Sequence, residues 1–326
     1  MYTEDDLNSA VQAGVMTSDT AAAFRAHVTA GRHTPVVDEE YFRLITGFND
    51  IFVVIACALL LVSVSWIGGS VQPWLGSMAL AAAAWGLAEF FTRQRHMALP
   101  SVVLMLVFVG AVLSLVKGLS DSLVLGSAVA AVAAWLHWQR FKVPITVAAG
   151  AAALAAVAVS AVLASPLQGR GLEVLVAFFA GVAVFLWALR WDAQDRQRQT
   201  RKSDVAFWLH LLSAPLMVHP VFTALGLLEG RTGWLAAAAV LALYAVITLA
   251  SLAIDRRALM VSALAYVLYA FSALFKQYGV VSLGFAIAAL ALGSGLLLLS
   301  AFWHTSRTRV IQWLPLGLQS QLPTLH

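Results

Sequence analysis

Charge is what this chain has least of. Of 326 residues only 11% are Asp, Glu, Lys or Arg, against 61% hydrophobic, a balance no soluble domain of this length needs. Cysteine occurs once, at Cys57. A lone cysteine can form no internal disulfide, and inside an apolar run it reads as a small buried hydrophobe. Enzyme signatures are missing as well: there is no HExxH, GxSxG, P-loop or dinucleotide fingerprint. The 8 histidines are scattered, and no Cys or His grouping has zinc spacing. No catalytic residue, metal or cofactor is therefore expected. Residues 1–40 hold no apolar core segment, so no cleavable signal peptide is expected.

What the chain has instead is apolar runs of roughly 18–24 residues, about the length a helix needs to cross a bilayer core. They fall near 50–67, 73–91, 99–116, 121–138, 144–164, 171–190, 204–228, 233–254, 258–275 and 280–302. A lipid-exposed backbone must satisfy its own hydrogen bonds, and the runs lack the alternation of barrel strands, so helices are expected. The expected fold is an all-α, polytopic integral membrane protein of about ten transmembrane helices.

The gaps between the runs set orientation. Alternate gaps and both tails hold sixteen Lys and Arg, and the opposite side holds four: Lys117, Arg170, Arg231 and Lys276. The positive-inside rule then places both termini in the cytoplasm. The net charge of +4 is a topology signal, with no nucleic-acid partner implied. Tryptophans sit near both predicted interfaces, as aromatic belts do. The expected domains are a cytoplasmic hairpin and juxtamembrane segment at 1–44, a transmembrane domain at 45–303, and an interfacial cytoplasmic tail at 304–326.

In the hairpin, Thr3 can cap a first helix that opens on Glu4, Asp5 and Asp6. Leu7, Val11 and Val15 mark its apolar side. Gly14 permits a turn, and Ser18 or Asp19 can cap a second helix bearing Phe24 and Val28. Residues 1–44 carry seven acids and three arginines, so docking against basic inner loops is expected. The stretch QAGVMTSDTAAAF, Gln12 to Phe24, followed by helices rich in small residues, resembles uncharacterised bacterial membrane proteins whose short cytoplasmic hairpin carries a glycine–aliphatic–aliphatic–Ser/Thr turn. The resemblance implies a bacterial inner-membrane protein and carries no activity with it.

The first four and last four runs match in layout: Asp50 with Asp204, Trp74 with Trp234, Arg93 and Arg95 with Arg256 and Arg257, and Lys117 with Lys276, at near-constant offsets. A parallel four-helix internal repeat would give this pattern. So would positive-inside loops and tryptophan belts alone.

Ionisable residues within the spans carry the remaining signal, because each costs on the order of 2.5–3.5 kcal/mol at the bilayer centre. Asp50 and Asp204 open their helices, where capping accounts for them. Glu89 stands four residues before Arg93, a pairing distance on a helix. Lys117 and Lys276 are outer-end cations that can snorkel. His137 and His304 neighbour tryptophans at the inner interface and need no function. His210 and His219 lie deeper, in DVAFWLHLLSAPLMVHPVF, Asp204 to Phe222. Nine residues apart, they fall on opposite faces of an ideal helix. Pro215 and Pro220 free the carbonyls of Leu211 and Leu216, so the helix is expected to bend or break, with at least one imidazole facing a polar interior.

Two functions fit these residues. One is a small-solute or proton-linked transporter whose path includes Asp50, Glu89, Asp204, His210 and His219. The other is a non-transporting sensor, assembly or regulatory factor that meets a cytoplasmic protein partner through its hairpin and basic loops. The topology is testable first. Reporter fusions at Gly69, Gly169 and Gly230 are expected to read outside, and fusions at Gln194 and the C-terminus inside. A cytoplasmic signal at Gly169 overturns the helix order.

Overall fold

The structure, a computed structural model, describes residues 4–32, 48–169, 171–195, 198, 200–226, 234–277 and 281–319. Those residues form helices joined by short turns, with no strand among them. The chain divides into two compact units, Met1–Tyr41 with His326, and Phe42–Leu325.

The first unit is a helical hairpin of α1, Glu4–Gln12, and α2, Ser18–Arg32. Gly14 makes the turn at φ +71°, a conformation glycine adopts without a steric penalty. The second helix is capped by Thr17, one residue earlier than expected: its Oγ1 accepts from the Thr20 amide at 3.2 Å. Leu7 and Ala21 are buried, and Arg25 donates to Asn8 Oδ1 at 3.3 Å. Val15 does not join the inner face and is 78% exposed. Thr3 lies outside the described residues, and so does the side chain of Val28.

In the second unit, all ten predicted runs lie on helices. They are α3 Phe48–Val71, α4 Pro73–Ala88, α5 Ala98–Ser120, α6 Leu123–Phe141, α7 Ile145–Leu163, α8 Leu172–Ala193, α9 Arg201–Ala224, α10 Trp234–Ile254, α11 Arg257–Gln277 and α12 Val281–Ala301. A π-helical turn, Glu89–Gln94, extends α4. Two short helices follow α12: α13 Trp303–Gln312 and α14 Leu316–Gln319.

Among the described residues, 6 helices are long and apolar enough to cross a membrane, or up to 7 if the bent pair α12–α13 counts as one. The protein is thus a multi-pass helical membrane protein by length and composition, but ten crossings are not confirmed. The shortfall has a physical origin in α6, whose end, His137-Trp138-Gln139-Arg140, is too polar for the hydrocarbon layer. Helices α10 and α11 each run for 21 residues, of which Ala238–Ile254 and Arg257–Tyr269 are the described apolar parts. Nor is the internal repeat confirmed. Arg93, matched in sequence with Arg256, has a 56% exposed side chain, whereas that of Arg256 is 2% exposed.

Turn chemistry separates the helices. Asp121, Lys142 and Asp255 adopt left-handed φ values of 52°, 54° and 57° where α5, α6 and α10 end. Ser122 then caps α6 by accepting from the Leu125 amide at 3.2 Å. Most neighbours in sequence pack side by side, with α8 against α9 the most extensive pairing, and α9 also packs on α7 and α11. Helix α9 is the central one: 50% of its apolar stretch is buried, against 11% for α3.

The expected break in α9 is absent. It runs as one helix from Arg201 to Ala224 with Pro215 and Pro220 inside it. Close packing at the proline segment accounts for this. A Cβ added to Gly181 of α8 would lie 2.9 Å from the Leu216 carbonyl carbon, so the two backbones touch where α9 has lost its own bonds. Small residues permit such approach in membrane helices. Gly181→Ala is therefore expected to lower the thermal midpoint of the purified protein in detergent, with a cost of roughly 1–3 kcal/mol for overpacking. Gly86→Ala, where a Cβ meets nothing within 4 Å, makes the same change in helix propensity and is expected to leave the midpoint unchanged or raised.

Candidate functional site: a buried Asp–His–Arg cluster

Three consecutive charged residues, Asp255, Arg256 and Arg257, occupy the turn between α10 and α11. The turn is locked from within. The Arg256 amide donates to the Ser251 carbonyl at 2.9 Å, and Ser251 Oγ donates back to the Arg256 carbonyl. Arg256 reaches toward α8 and α9, whereas Asp255 and Arg257 both reach Trp303 of α13.

Arg256 turns inward and is 1% exposed. Its Nη2 donates to Asp192 Oδ1 in the last turns of α8, and its Nε lies 3.2 Å from the same oxygen. Nη2 also reaches Ser203 in the first turn of α9, at 2.9 Å to Oγ and 3.2 Å to the carbonyl. The second oxygen of Asp192 accepts from His210 Nε2 at 2.8 Å. His210 is 0% exposed, and the Phe185 ring packs edge-on at 5.4 Å. A carboxylate only accepts, so Nε2 carries a proton, and the other ring nitrogen is Nδ1. That Nδ1 has no hydrogen-bond partner among the described residues.

Asp255 faces the other way. It takes Arg198 Nη1 at 3.2 Å and the Trp303 indole N–H at 2.6 Å, with Arg307 Nε at 3.9 Å. Arg198, itself at φ 54°, also donates to the carbonyls of Ile254 and Asp255 at 3.2 and 2.7 Å. Asp195 shapes the loop that carries Arg198, accepting from the Thr200 amide at 2.8 Å and its hydroxyl at 2.6 Å. Arg257 lays its guanidinium over the Trp303 ring at 4.9 Å, a favourable cation–π contact. One turn thus holds the ends of α8 and α9, the loop between them, and α13.

The predicted site residues divide. His210 is at the centre of the cluster. Asp204 is half-buried within electrostatic reach of Arg256. His219 is exposed, outside the cluster, 6.1 Å from the Tyr266 ring. Asp50 is buried at the start of α3. Glu89 does pair with Arg93, at 3.4 Å, but its stronger partner is Arg140 of α6, with two bonds of 2.7 and 3.0 Å. Lys117 is exposed in the last turn of α5, and the side chain of Lys276 lies outside the described residues. His137 is 0% exposed, packed among Trp85, Phe108 and Phe141, with Nδ1 3.3 Å from Thr146 Oγ1.

Of the candidate residues, Asp204 and His210 lie around Arg256, directly or through Asp192, whereas Glu89 closes on Arg93 and Arg140. Between α9, α10 and α11 there is a narrow gap lined by Val218, Phe222, Val240, Tyr244, Ala263 and Tyr266. Its lining is aliphatic and aromatic, and neither histidine of α9 borders it. Among the described residues, no group of three His, Cys, Asp or Glu could hold a metal.

Asp192, Ser203, Asp255, Arg256 and Arg307 were not singled out from sequence. One signal could have found them. Only residues 255–257 separate two apolar runs, so three charges share a turn too short to send them all to solvent. No protein-family model, curated protein or solved structure matches this chain.

Removing one partner of a buried ion pair leaves an uncompensated charge. Asp192→Asn and Arg256→Gln are each expected to cost about 3–5 kcal/mol. Arg93→Gln, at an exposed pair, is expected to cost at most about 1 kcal/mol. Thermal unfolding in detergent reads all three, and the double variant Asp192→Asn/Arg256→Gln is expected to lose less than the sum of the singles. Strict additivity would contradict the pairing.

Proposed function

We propose that this chain is a non-transporting bacterial inner-membrane protein, a sensor, assembly or regulatory factor. Both termini are cytoplasmic, and it acts through its cytoplasmic hairpin and basic loops. The observation that supports this reading best is how the charges in the membrane part are used. Glu89 closes on Arg93 and Arg140, Asp192 on His210 and Arg256, and Asp255 on Arg198 and Arg307. A transport path needs polar groups that exchange partners with a moving solute. Here they bind one another in separate local sets, and the gap beside α9 is apolar. Such pairing fixes helix ends and gives the cytoplasmic side a defined shape, which is what a docking protein requires. On the acidic hairpin, Val15 and Phe24 are 78% and 40% exposed and offer apolar contacts to a protein partner.

A second reading, proton-linked transport along α9, is favoured by one observation, the unpartnered Nδ1 of the buried His210. The two readings separate in proteoliposomes that hold a pH-sensitive dye and face a pH gradient. The non-transporting reading expects proton flux no faster than in protein-free vesicles, with His210→Phe unchanged. A protein-dependent flux abolished by His210→Phe overturns it in favour of the relay. In cells, photo-cross-linkers at Val15 and Phe24 are expected to capture a discrete protein adduct. Capture of lipid alone would count against a protein partner.

A further inference from the structure

Helix α13 has the geometry of a surface helix. It leaves α12 at a bend of 78° between Ala289–Ala301 and Trp303–Gln312. If α12 crosses the bilayer, α13 runs close to the membrane plane. Its composition keeps it out of the hydrocarbon, since His304 to Arg309 is a polar run. One face, Trp303, Arg307 and Ile311, is buried and held on Asp255. Phe302 and Trp313 bracket the helix and are 58% and 81% exposed. An apolar ring at each end of a polar helix suits the headgroup layer, where aromatic side chains with one wet edge collect.

Charge selects the kind of lipid. Asp255 is the last acid in the sequence, so the segment that follows carries basic side chains and no carboxylate side chain. Arg307 is engaged by Asp255. Arg309 is exposed with no ion-pair partner among the described residues, and Arg257 contacts only the Trp303 ring there. Two arginines without acids, beside aromatic side chains at the membrane plane, complement phosphate headgroups of net negative charge.

We propose that α13, with Phe302, Trp313, Arg257 and Arg309, is a docking surface for anionic phospholipid in the cytoplasmic leaflet. The inference deepens the sensor reading and rests on it, because it names what the membrane-facing side would sense. Asp255 is the link inward: it binds Trp303 and Arg307 of α13, and the next residue, Arg256, holds Asp192.

The test uses the full chain in nanodiscs, with Cys57→Ser and Trp313→Cys labelled by an environment-sensitive fluorophore. Discs are made of phosphatidylcholine alone or with about 30% phosphatidylglycerol. Quenching by lipid-borne nitroxide and by aqueous acrylamide places the label. The expected result is lipid quenching and acrylamide protection, both greater with phosphatidylglycerol and reduced by added salt. Arg309→Gln is expected to weaken the phosphatidylglycerol preference about fivefold, the usual effect of one arginine near an anionic surface. A label quenched mainly from water overturns the proposal and leaves α13 free for a protein. Equal lipid quenching in both discs overturns the anionic preference. A label at Phe302→Cys repeats the reading should the first variant fail to fold. Proton flux in the same lipids reports separately on the non-transporting reading, so one can fail without the other.

Discussion

The salt bridge between Asp192 and Arg256 is the constraint that this end of the helices is built around. An arginine cannot shed its charge, so a guanidinium taken out of water must keep a carboxylate and fill its other donors. Arg256 does both, through Asp192 and Ser203. Asp192 in turn spends its second oxygen on His210. Three separated stretches of chain, the end of α8, the start of α9 and the α10–α11 turn, must therefore meet at one point.

Other features follow from that meeting. For Asp192 and His210 to touch, α8 and α9 must lie close along much of their length, and Gly181 supplies the room beside Leu216. Because α9 is clamped at its N-terminal end and packed beside Gly181 further along, its two prolines do not break it. Asp255, next to Arg256, is left facing away from the cluster, and it gathers Arg198, Trp303 and Arg307. Adjacent residues in a turn point in opposite directions, so a single short loop can tie the membrane core to α13.

Long apolar runs made the helices legible in the sequence, because hydrocarbon demands them, and the histidine at 210 stood out because charge-capable groups are costly there. The number of crossings was less legible. A run such as 121–138 is apolar over most of its length yet ends on His137 and leads straight into Gln139 and Arg140, and periodicity alone does not weigh that end. Pairing was hardest to see. Glu89 looked toward Arg93 because a helix makes that neighbour visible, whereas its nearer partner, Arg140, is a neighbour only after folding. Arg256 and Arg257 passed as orientation signals for the same reason: a charge at a helix end has the same appearance whether it meets water or a buried carboxylate. Proline misled in the opposite sense. It reports the hydrogen bonds lost, and the neighbouring helix that packs on the segment leaves no mark beyond a distant glycine.

Hydrogen–deuterium exchange followed by mass spectrometry tests the clamp most directly, by comparing the wild-type chain with Asp192→Asn in one detergent. If the cluster is a single cooperative clamp, the substitution speeds exchange together at four places: the end of α8, the first turns of α9, the 251–258 turn and α13. The hairpin 4–32 serves as an internal reference. Faster exchange confined to the residues around 192, with the 251–258 turn and α13 unchanged, would contradict the account.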